Sequence, residues 1–226
     1  KDLRELVLNL NVDDLKETYS ENIFKIVYNY GLDSGHKFER LIKIVLKKKI
    51  GNENCTFKEL NTKYPKKKLT IVGSNISKIK TEYFNAENTP DMEIWKAIRI
   101  SISFPIIFDK VDYNGDIYVD GGLTNNYPID FFSNDIENTL GISLNSNKSL
   151  PNIDDLQSYL VRIIYVLASQ KQRECCSKYS DNSIIIDLNT NMTSINFDNK
   201  TKNYLIDESY QQFMEKIKTK EIYKKY

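Results

Sequence analysis

The residues of this sequence whose types and spacing best suit chemistry are a carboxylate followed by two glycines. Asp120 follows residues 117–119, whose alternating side chains predict a strand, and it precedes Gly121 and Gly122. Glycine has no Cβ, so two in succession let another group approach the backbone closely. The carboxylate is therefore expected at a strand end, on a turn that another group can approach. Asp before Gly-Gly is also ordinary turn chemistry, and the motif alone leaves both interpretations open.

A β-hairpin is predicted immediately before Asp120. Asn114 and Gly115 form a dipeptide typical of a type I′ turn. They separate residues 111–113 from residues 116–119, and both of these runs have strand character. The second strand of the hairpin would therefore lead directly into the Asp-Gly-Gly turn.

Several further segments accompany Asp120 in a definite order along the chain. Residues 97–108 read A-I-R-I-S-I-S-F-P-I-I-F, and residues 120–128 read D-G-G-L-T-N-N-Y-P. Further upstream, residues 31–35 read G-L-D-S-G before a predicted helix, and residues 56–60 read T-F-K-E-L. This ordered set resembles the patatin-like phospholipases over most of residues 30–144. The order of the segments carries the resemblance, because Asp-Gly-Gly alone is not specific.

The resemblance implies a lipid acyl hydrolase of the phospholipase A type that uses a Ser-Asp dyad. Asp120 would be the base, and Gly121 and Gly122 would let its carboxylate come close to the serine. Such a dyad implies no metal and no other cofactor. The implied partners are a phospholipid or other acyl-lipid substrate and, transiently, a membrane surface, while the sequence identifies no partner protein. The protein would then be cytoplasmic or peripheral at membranes.

The serine that this dyad needs is not recognisable in the sequence. None of its serines lies in Gly-x-Ser-x-Gly, and the family's glycine-rich oxyanion loop is also missing. We therefore expect residues 1–226 to be a single patatin-like domain that lacks its N-terminal strands and nucleophile elbow. The alternative is a non-catalytic relative that binds lipid or protein with the same fold, in which Asp120 only holds a turn.

The alternation of strands and helices predicts a layered α/β fold, with a central, mostly parallel sheet flanked by helices and the hairpin leading into the Asp-Gly-Gly turn. Strands are expected within residues 69–75, 80–85, 139–144 and 183–188. Helices are expected at residues 1–9, from Asp13 or Asp14, from Asp33 or Ser34, from Thr56, from Pro90, from residues 151–155 and after Asp198. The apolar stripe of the long helix is expected to pack on the sheet; it consists of Leu156, Leu160, Ile163, Ile164 and Leu167.

Composition and charge narrow the classes of function. A net charge of +1 creates no global field toward nucleic acid, and we expect no nucleic-acid partner. His36 is the single histidine, which argues against a histidine metal site or a Ser-His-Asp triad. The count of three cysteines argues against a disulfide framework, and we interpret Cys175 and Cys176 as packing thiols. Residues 47–49 are all lysine, which we interpret as a solvated helix end, with contact to lipid head groups as the alternative.

Overall fold

The computed structural model describes residues 2–15, 28, 30–146, 152–188 and 198–219. The chain divides into two compact units. The first, here called the Asp120 unit, comprises Leu15–Asn126 and Asp155–Ser169. The second, here called the terminal unit, comprises Lys1–Asp14, Tyr127–Asp154 and Gln170–Tyr226. One domain over residues 1–226 stays a prediction.

Helices and strands alternate along much of the described chain. The helices are α1 (Asp2–Asn9), α2 (His36–Ile50), α3 (Phe57–Lys63), α4 (Ile94–Ser101), α5 (Gly122–Asn125), α6 (Leu156–Lys178) and α7 (Asn199–Thr219). The strands are β1 (Gly31–Asp33), β2 (Ile71–Asn75), β3 (Lys80–Phe84), β4 (Ile106–Phe108), β5 (Val111–Tyr113), β6 (Asp116–Asp120), β7 (Gly141–Ser146) and β8 (Ser183–Leu188). Short 3₁₀ segments cover Val12–Leu15, Pro128–Asn138 and Ser180–Asn182. The predicted helix from Asp13 or Asp14 would run mostly through residues 16–27, which lie outside the described residues.

The described sheets are mixed in direction. β3, β2, β6 and β5 form an antiparallel sheet in that order, whereas β1 pairs with β4, and β7 with β8, in parallel. The layered α/β class is confirmed, but the largest described sheet is antiparallel where a mostly parallel one was predicted. Short turns are the reason for two of its pairings, because strands joined by a few residues can only run in opposite directions.

The hairpin that precedes Asp120 has the predicted turn. Asn114 has φ 50° and Gly115 has φ 82°, the pair of positive φ angles that a type I′ turn requires. Val111 lies opposite Tyr118, and Tyr113 opposite Asp116, so the register is fixed up to the turn.

Two helix starts in the Asp120 unit show how local sequence sets local structure. The Thr56 hydroxyl accepts from the Glu59 backbone nitrogen at 3.2 Å, and the Glu59 carboxylate accepts from the Thr56 nitrogen at 2.9 Å. This capping box begins α3 and confirms the helix predicted from Thr56. At the start of α2 the cap residue is Gly35, with φ 71°, rather than Asp33 or Ser34. Asp33 lies two residues before this cap, and its carboxylate accepts from the Gly35 nitrogen at 2.7 Å.

The core of the Asp120 unit is formed where α4 packs on the antiparallel sheet. Ile94, Ala97 and Ile100 follow one another at three-residue spacing on α4, and each is 1% exposed or less. The other buried members of this core are Leu46, Cys55, Phe57, Phe84, Met92 and Tyr118. The chain that follows α4 contains Ser103, which is hydrogen-bonded to the Asp120 nitrogen. This core therefore supports the candidate site.

The terminal unit is organised by β7 and β8. Ile184 and Ile186 of β8 are buried against Phe213 and Ile217 of α7, which confirms the predicted C-terminal helix. In the same unit Cys175 is buried and Cys176 is partly buried, and both thiols are free. They pack on a small cluster around Tyr127 and Ile129, as predicted for packing thiols.

The predicted packing of the α6 stripe on the sheet was wrong. Its residues in the Asp120 unit include Leu156, which is 71% exposed, and Leu167, which is 58% exposed. Leu160 and Ile163, between them, are 38% and 41% exposed. Helical spacing identified an apolar face correctly, but spacing alone does not say which surface covers that face.

Candidate active site

Asp120 stands at the last position of β6, where the strand gives way to α5. Its side chain is half-buried. One carboxylate oxygen, Oδ1, accepts a hydrogen bond from the Gly122 backbone nitrogen at 2.7 Å. Within the described part of the chain, Oδ2 has no hydrogen-bond partner, so this oxygen is available to accept a proton.

The backbone of Asp120 is fixed on both sides. Its nitrogen donates to the carbonyl oxygen of Ser103 at 2.9 Å. Its carbonyl oxygen accepts from the hydroxyl of Ser74 at 2.7 Å. Both serines are 0% exposed, so these hydrogen bonds form away from competing water.

The two glycines are needed for close approach and not for an unusual φ. Gly121 has φ −60°, and a Cβ built on it would lie 2.3 Å from the carbonyl oxygen of Val72 in β2. A Cβ on Gly122 would lie 3.0 Å from Asp120 Oδ1 and 2.8 Å from the side-chain oxygen of Asn126. The glycines therefore allow the turn to lie against β2 and allow the Gly122 nitrogen to reach the carboxylate.

The electrostatic surroundings of Asp120 suit a base. Burial raises its pKa from 3.8 to about 6, and the hydrogen bond from the Gly122 nitrogen lowers it in part. A base works best when its pKa lies near the operating pH, because it is then ionised and still takes up a proton readily. At neutral pH the Asp120 carboxylate is mostly ionised and able to accept one.

Two of the other sequence segments are joined to this site through Arg99. Its side chain is 5% exposed and donates to the carbonyl oxygen of Ser34 at 2.6 Å and to the hydroxyl of Ser103. A Cβ on Gly35 would lie 2.4 Å from the Arg99 Nε, so the close approach requires glycine. The segments at residues 31–35 and 97–108 are thus connected to the Asp-Gly-Gly turn.

The fourth segment, residues 56–60, does not reach Asp120 directly. The Phe57 backbone nitrogen donates to the Met92 carbonyl oxygen at 3.1 Å, and Thr56 forms an isolated bridge with Glu93. This segment therefore supports the start of α4, whose far end carries Arg99.

Sequence reasoning identified Asp120, Gly121 and Gly122 but missed the hydroxyl groups that hold them. Ser74 lies within the strand predicted at residues 69–75, and Thr124 lies within the motif at residues 120–128. The signal was present in β2, where Gly73 lies opposite Asp120 in the register. A pairing of residues 73 and 120 would have placed a serine beside the acid, but the sequence does not specify that register.

Among the described residues, none of the helices combines the length and the hydropathy of a membrane span.

A cavity of about 480 Å³ lies in the terminal unit, between the end of α1 and the start of α7. Its lining includes Asp198 and Lys202. Asp198 accepts from the Thr201 nitrogen at 2.7 Å as a helix cap, and the Lys202 amine donates to the Leu10 carbonyl oxygen. These polar groups are engaged in helix ends, so Asp120 remains the candidate for chemistry.

The chain is similar in sequence to viral proteins. It is 32% identical to "Uncharacterized protein R571" of Acanthamoeba polyphaga mimivirus, over 91% of this chain and 71% of that protein. It is 36% identical to "Probable lipid hydrolase 463L" of Invertebrate iridescent virus 6, over 55% of this chain and 40% of that protein. The crystal structure of VipD from Legionella pneumophila matches 74% of this chain and 36% of that one, with TM-score 0.46 and 17% identity.

A family model also matches the sequence. The model described as patatin-like phospholipase covers residues 1–133. That range includes Asp120 with both glycines and ends just beyond residues 120–128. The chain therefore belongs to the patatin-like phospholipase family.

Proposed function

We propose that this chain carries the general base, Asp120, of a lipid acyl hydrolase of the phospholipase A type whose nucleophile is a serine. Family membership and the name of the iridescent virus relative support a lipid substrate. The observation that carries the proposal is the state of the Asp120 side chain. It is half-buried, is held through Oδ1 by the Gly122 nitrogen, and has a pKa raised to about 6 by burial.

The proposed chemistry follows from what a serine hydroxyl lacks. A neutral hydroxyl is a weak nucleophile, and a base must take its proton as it attacks the ester carbonyl. Asp120 accepts that proton and then gives it to the departing alcohol, which leaves an acyl-serine. Asp120 next takes a proton from water, the hydroxide attacks the acyl group, and the fatty acid leaves as the proton returns to the serine.

The nucleophile is not assigned to any serine described here. Ser74 and Ser103 lie beside Asp120, but both are 0% exposed and neither lies in Gly-x-Ser-x-Gly. Each also has its hydroxyl committed to a backbone carbonyl, Asp120 for Ser74 and Arg99 for Ser103. The proposal therefore concerns the base. The substrate is an acyl lipid, which the protein binds at a membrane surface.

The test measures acyl hydrolysis by the protein encoded in the full open reading frame, on phosphatidylcholine vesicles that carry a fluorescent acyl chain. Asp120→Asn is expected to lower kcat at least about 100-fold, because an amide cannot accept the serine proton. The matched control is Asp112→Asn, since Asp112 is an exposed carboxylate of the same hairpin that pairs with Lys110 at 2.5 Å. This control is expected to keep the wild-type rate.

Two outcomes would contradict the proposal. Hydrolysis by Asp120→Asn at near the wild-type rate would remove Asp120 from the mechanism. A wild-type protein that binds vesicles in co-sedimentation but releases no fatty acid would instead favour the non-catalytic binding relative.

A further inference from the structure

Two hydroxyl groups meet behind the backbone of Asp120. The Ser74 hydroxyl lies 2.7 Å from the Asp120 carbonyl oxygen and 2.8 Å from the Thr124 hydroxyl. Ser74 belongs to β2, whereas Thr124 lies in α5 just after the two glycines. The pair therefore joins the sheet to both sides of the Asp-Gly-Gly turn.

The direction of the two hydrogen bonds follows from counting protons. A carbonyl oxygen can only accept, so Ser74 must spend its single hydroxyl proton on Asp120. Between the two hydroxyls, Thr124 is then the donor and Ser74 the acceptor. Both hydrogen bonds depend on Ser74, which is 0% exposed and cannot exchange its partners for water.

The β-ladder places Gly73 opposite Asp120, but the Asp120 nitrogen donates to the Ser103 carbonyl oxygen at 2.9 Å and not to β2. A Cβ on Gly121 would lie 2.3 Å from the Val72 carbonyl oxygen, so the turn already lies as close to β2 as its backbone allows. Among the described residues, it is the Ser74 hydroxyl that links the Asp120 carbonyl oxygen to β2 by a hydrogen bond.

We propose that Ser74 and Thr124 are positioning residues that hold the Asp120 carboxylate in place. By fixing the backbone on either side of the glycines, they keep Oδ1 on the Gly122 nitrogen and leave Oδ2 for the proton. Their importance for hydrolysis rests on the proposed function of Asp120. Their effect on the carboxylate does not, and it is measurable in this chain without any activity.

The Gly122 amide is the reporter, because its hydrogen bond to Asp120 Oδ1 makes its NMR shift follow the protonation of that carboxyl. In the wild-type chain the shift is expected to titrate with a midpoint near pH 6, and Asp120→Asn should abolish the titration. Ser74→Ala is expected to reduce its amplitude by about half or more and to raise the Gly122 amide exchange rate about tenfold.

A matched control separates positioning from stability. Ser143 is also a buried strand serine with one described hydroxyl contact, accepting from the Gln172 side chain at 2.8 Å in the terminal unit. Ser143→Ala is expected to lower the melting temperature and leave the Gly122 titration unchanged. If Ser74→Ala also lowers only the melting temperature, Ser74 is a structural residue and the proposal is wrong.

A second pair of variants decides the case if Ser74→Ala fails to fold. Thr124→Val removes the donor while keeping the side-chain shape, and Thr124→Ser restores the hydroxyl. The first should reduce the Gly122 titration and the second should recover it; equal titration in both would overturn the role of Thr124.

In the hydrolysis assay that tests the proposed function, Ser74→Ala should lower kcat with little change in KM. An inactive wild type would count against the proposed function and leave the NMR result standing.

Discussion

The backbone nitrogen of Asp120 donates a hydrogen bond to the carbonyl oxygen of Ser103 at 2.9 Å. These residues belong to the two segments, residues 97–108 and 120–128, that sequence analysis connected only by their order. The Ser103 hydroxyl donates in turn to the Arg99 carbonyl oxygen at 2.6 Å, which ties it to the end of α4. The first segment is therefore a support for the acid in the second, and their co-occurrence in the sequence has a direct structural cause.

Asp120→Asn is expected to stabilise the protein at pH 8. Burial raises the pKa of Asp120 from 3.8 to about 6, so the folded chain holds this proton more tightly than the unfolded chain. Raising the pH through this range therefore costs stability, and an asparagine avoids the cost. The free energy of unfolding should rise by roughly 1–3 kcal/mol at pH 8, and the gain should vanish below about pH 4.

Urea unfolding of the wild-type chain and the variant at pH 4, 6 and 8 measures this effect. Asp112→Asn serves as the control, because Asp112 is a mostly exposed carboxylate of β5. It should change stability by less than about 0.5 kcal/mol at every pH. A loss of stability in Asp120→Asn at pH 8 would show that the carboxylate is not penalised by burial.

The two glycines after Asp120 are expected to respond differently to alanine. A Cβ at position 121 would meet the Val72 backbone at 2.3 Å, and backbone in a sheet cannot move aside cheaply. Gly121→Ala should lower the free energy of unfolding by about 2 kcal/mol or more. A cost below about 0.5 kcal/mol in thermal or urea unfolding would contradict the close approach of the turn to β2.

Gly122→Ala should act mainly on the carboxylate. Its Cβ would lie 3.0 Å from Asp120 Oδ1, and the side chains on this side can shift. Moving Oδ1 away from the Gly122 nitrogen removes the hydrogen bond that lowers the Asp120 pKa, so that pKa should rise above about 6. Carboxyl NMR titration measures the shift, and an unchanged or lower pKa would show that the hydrogen bond survives the substitution.

Features set by neighbouring residues could be predicted from the sequence. The hairpin turn at Asn114 and Gly115 depends on positive φ angles that these two residues tolerate. The capping box of α3 needs only Thr56 and Glu59, three residues apart. Asp120 was found because its motif is short and continuous in the chain.

Features set by pairing across the chain could not be predicted. Ser74 and Asp120 are 46 positions apart, and their contact depends on the register of β2 against β6. A shift of one residue would turn the Ser74 hydroxyl to the other face of the sheet. The antiparallel order of the sheet was missed for a similar reason, since strand patterns identify strands but not their partners.

The exposed stripe of α6 gives the last prediction. Leu156 is 71% exposed and Leu167 is 58% exposed, so lysine at either position keeps its charge in water. Leu156→Lys and Leu167→Lys should each change the free energy of unfolding by less than about 0.5 kcal/mol. Ile100→Ala in the buried core is the contrasting variant and should cost about 2–5 kcal/mol. If a lysine on the stripe costs as much as the core substitution, this face is packed as its helical spacing predicted, and the exposure described here is wrong.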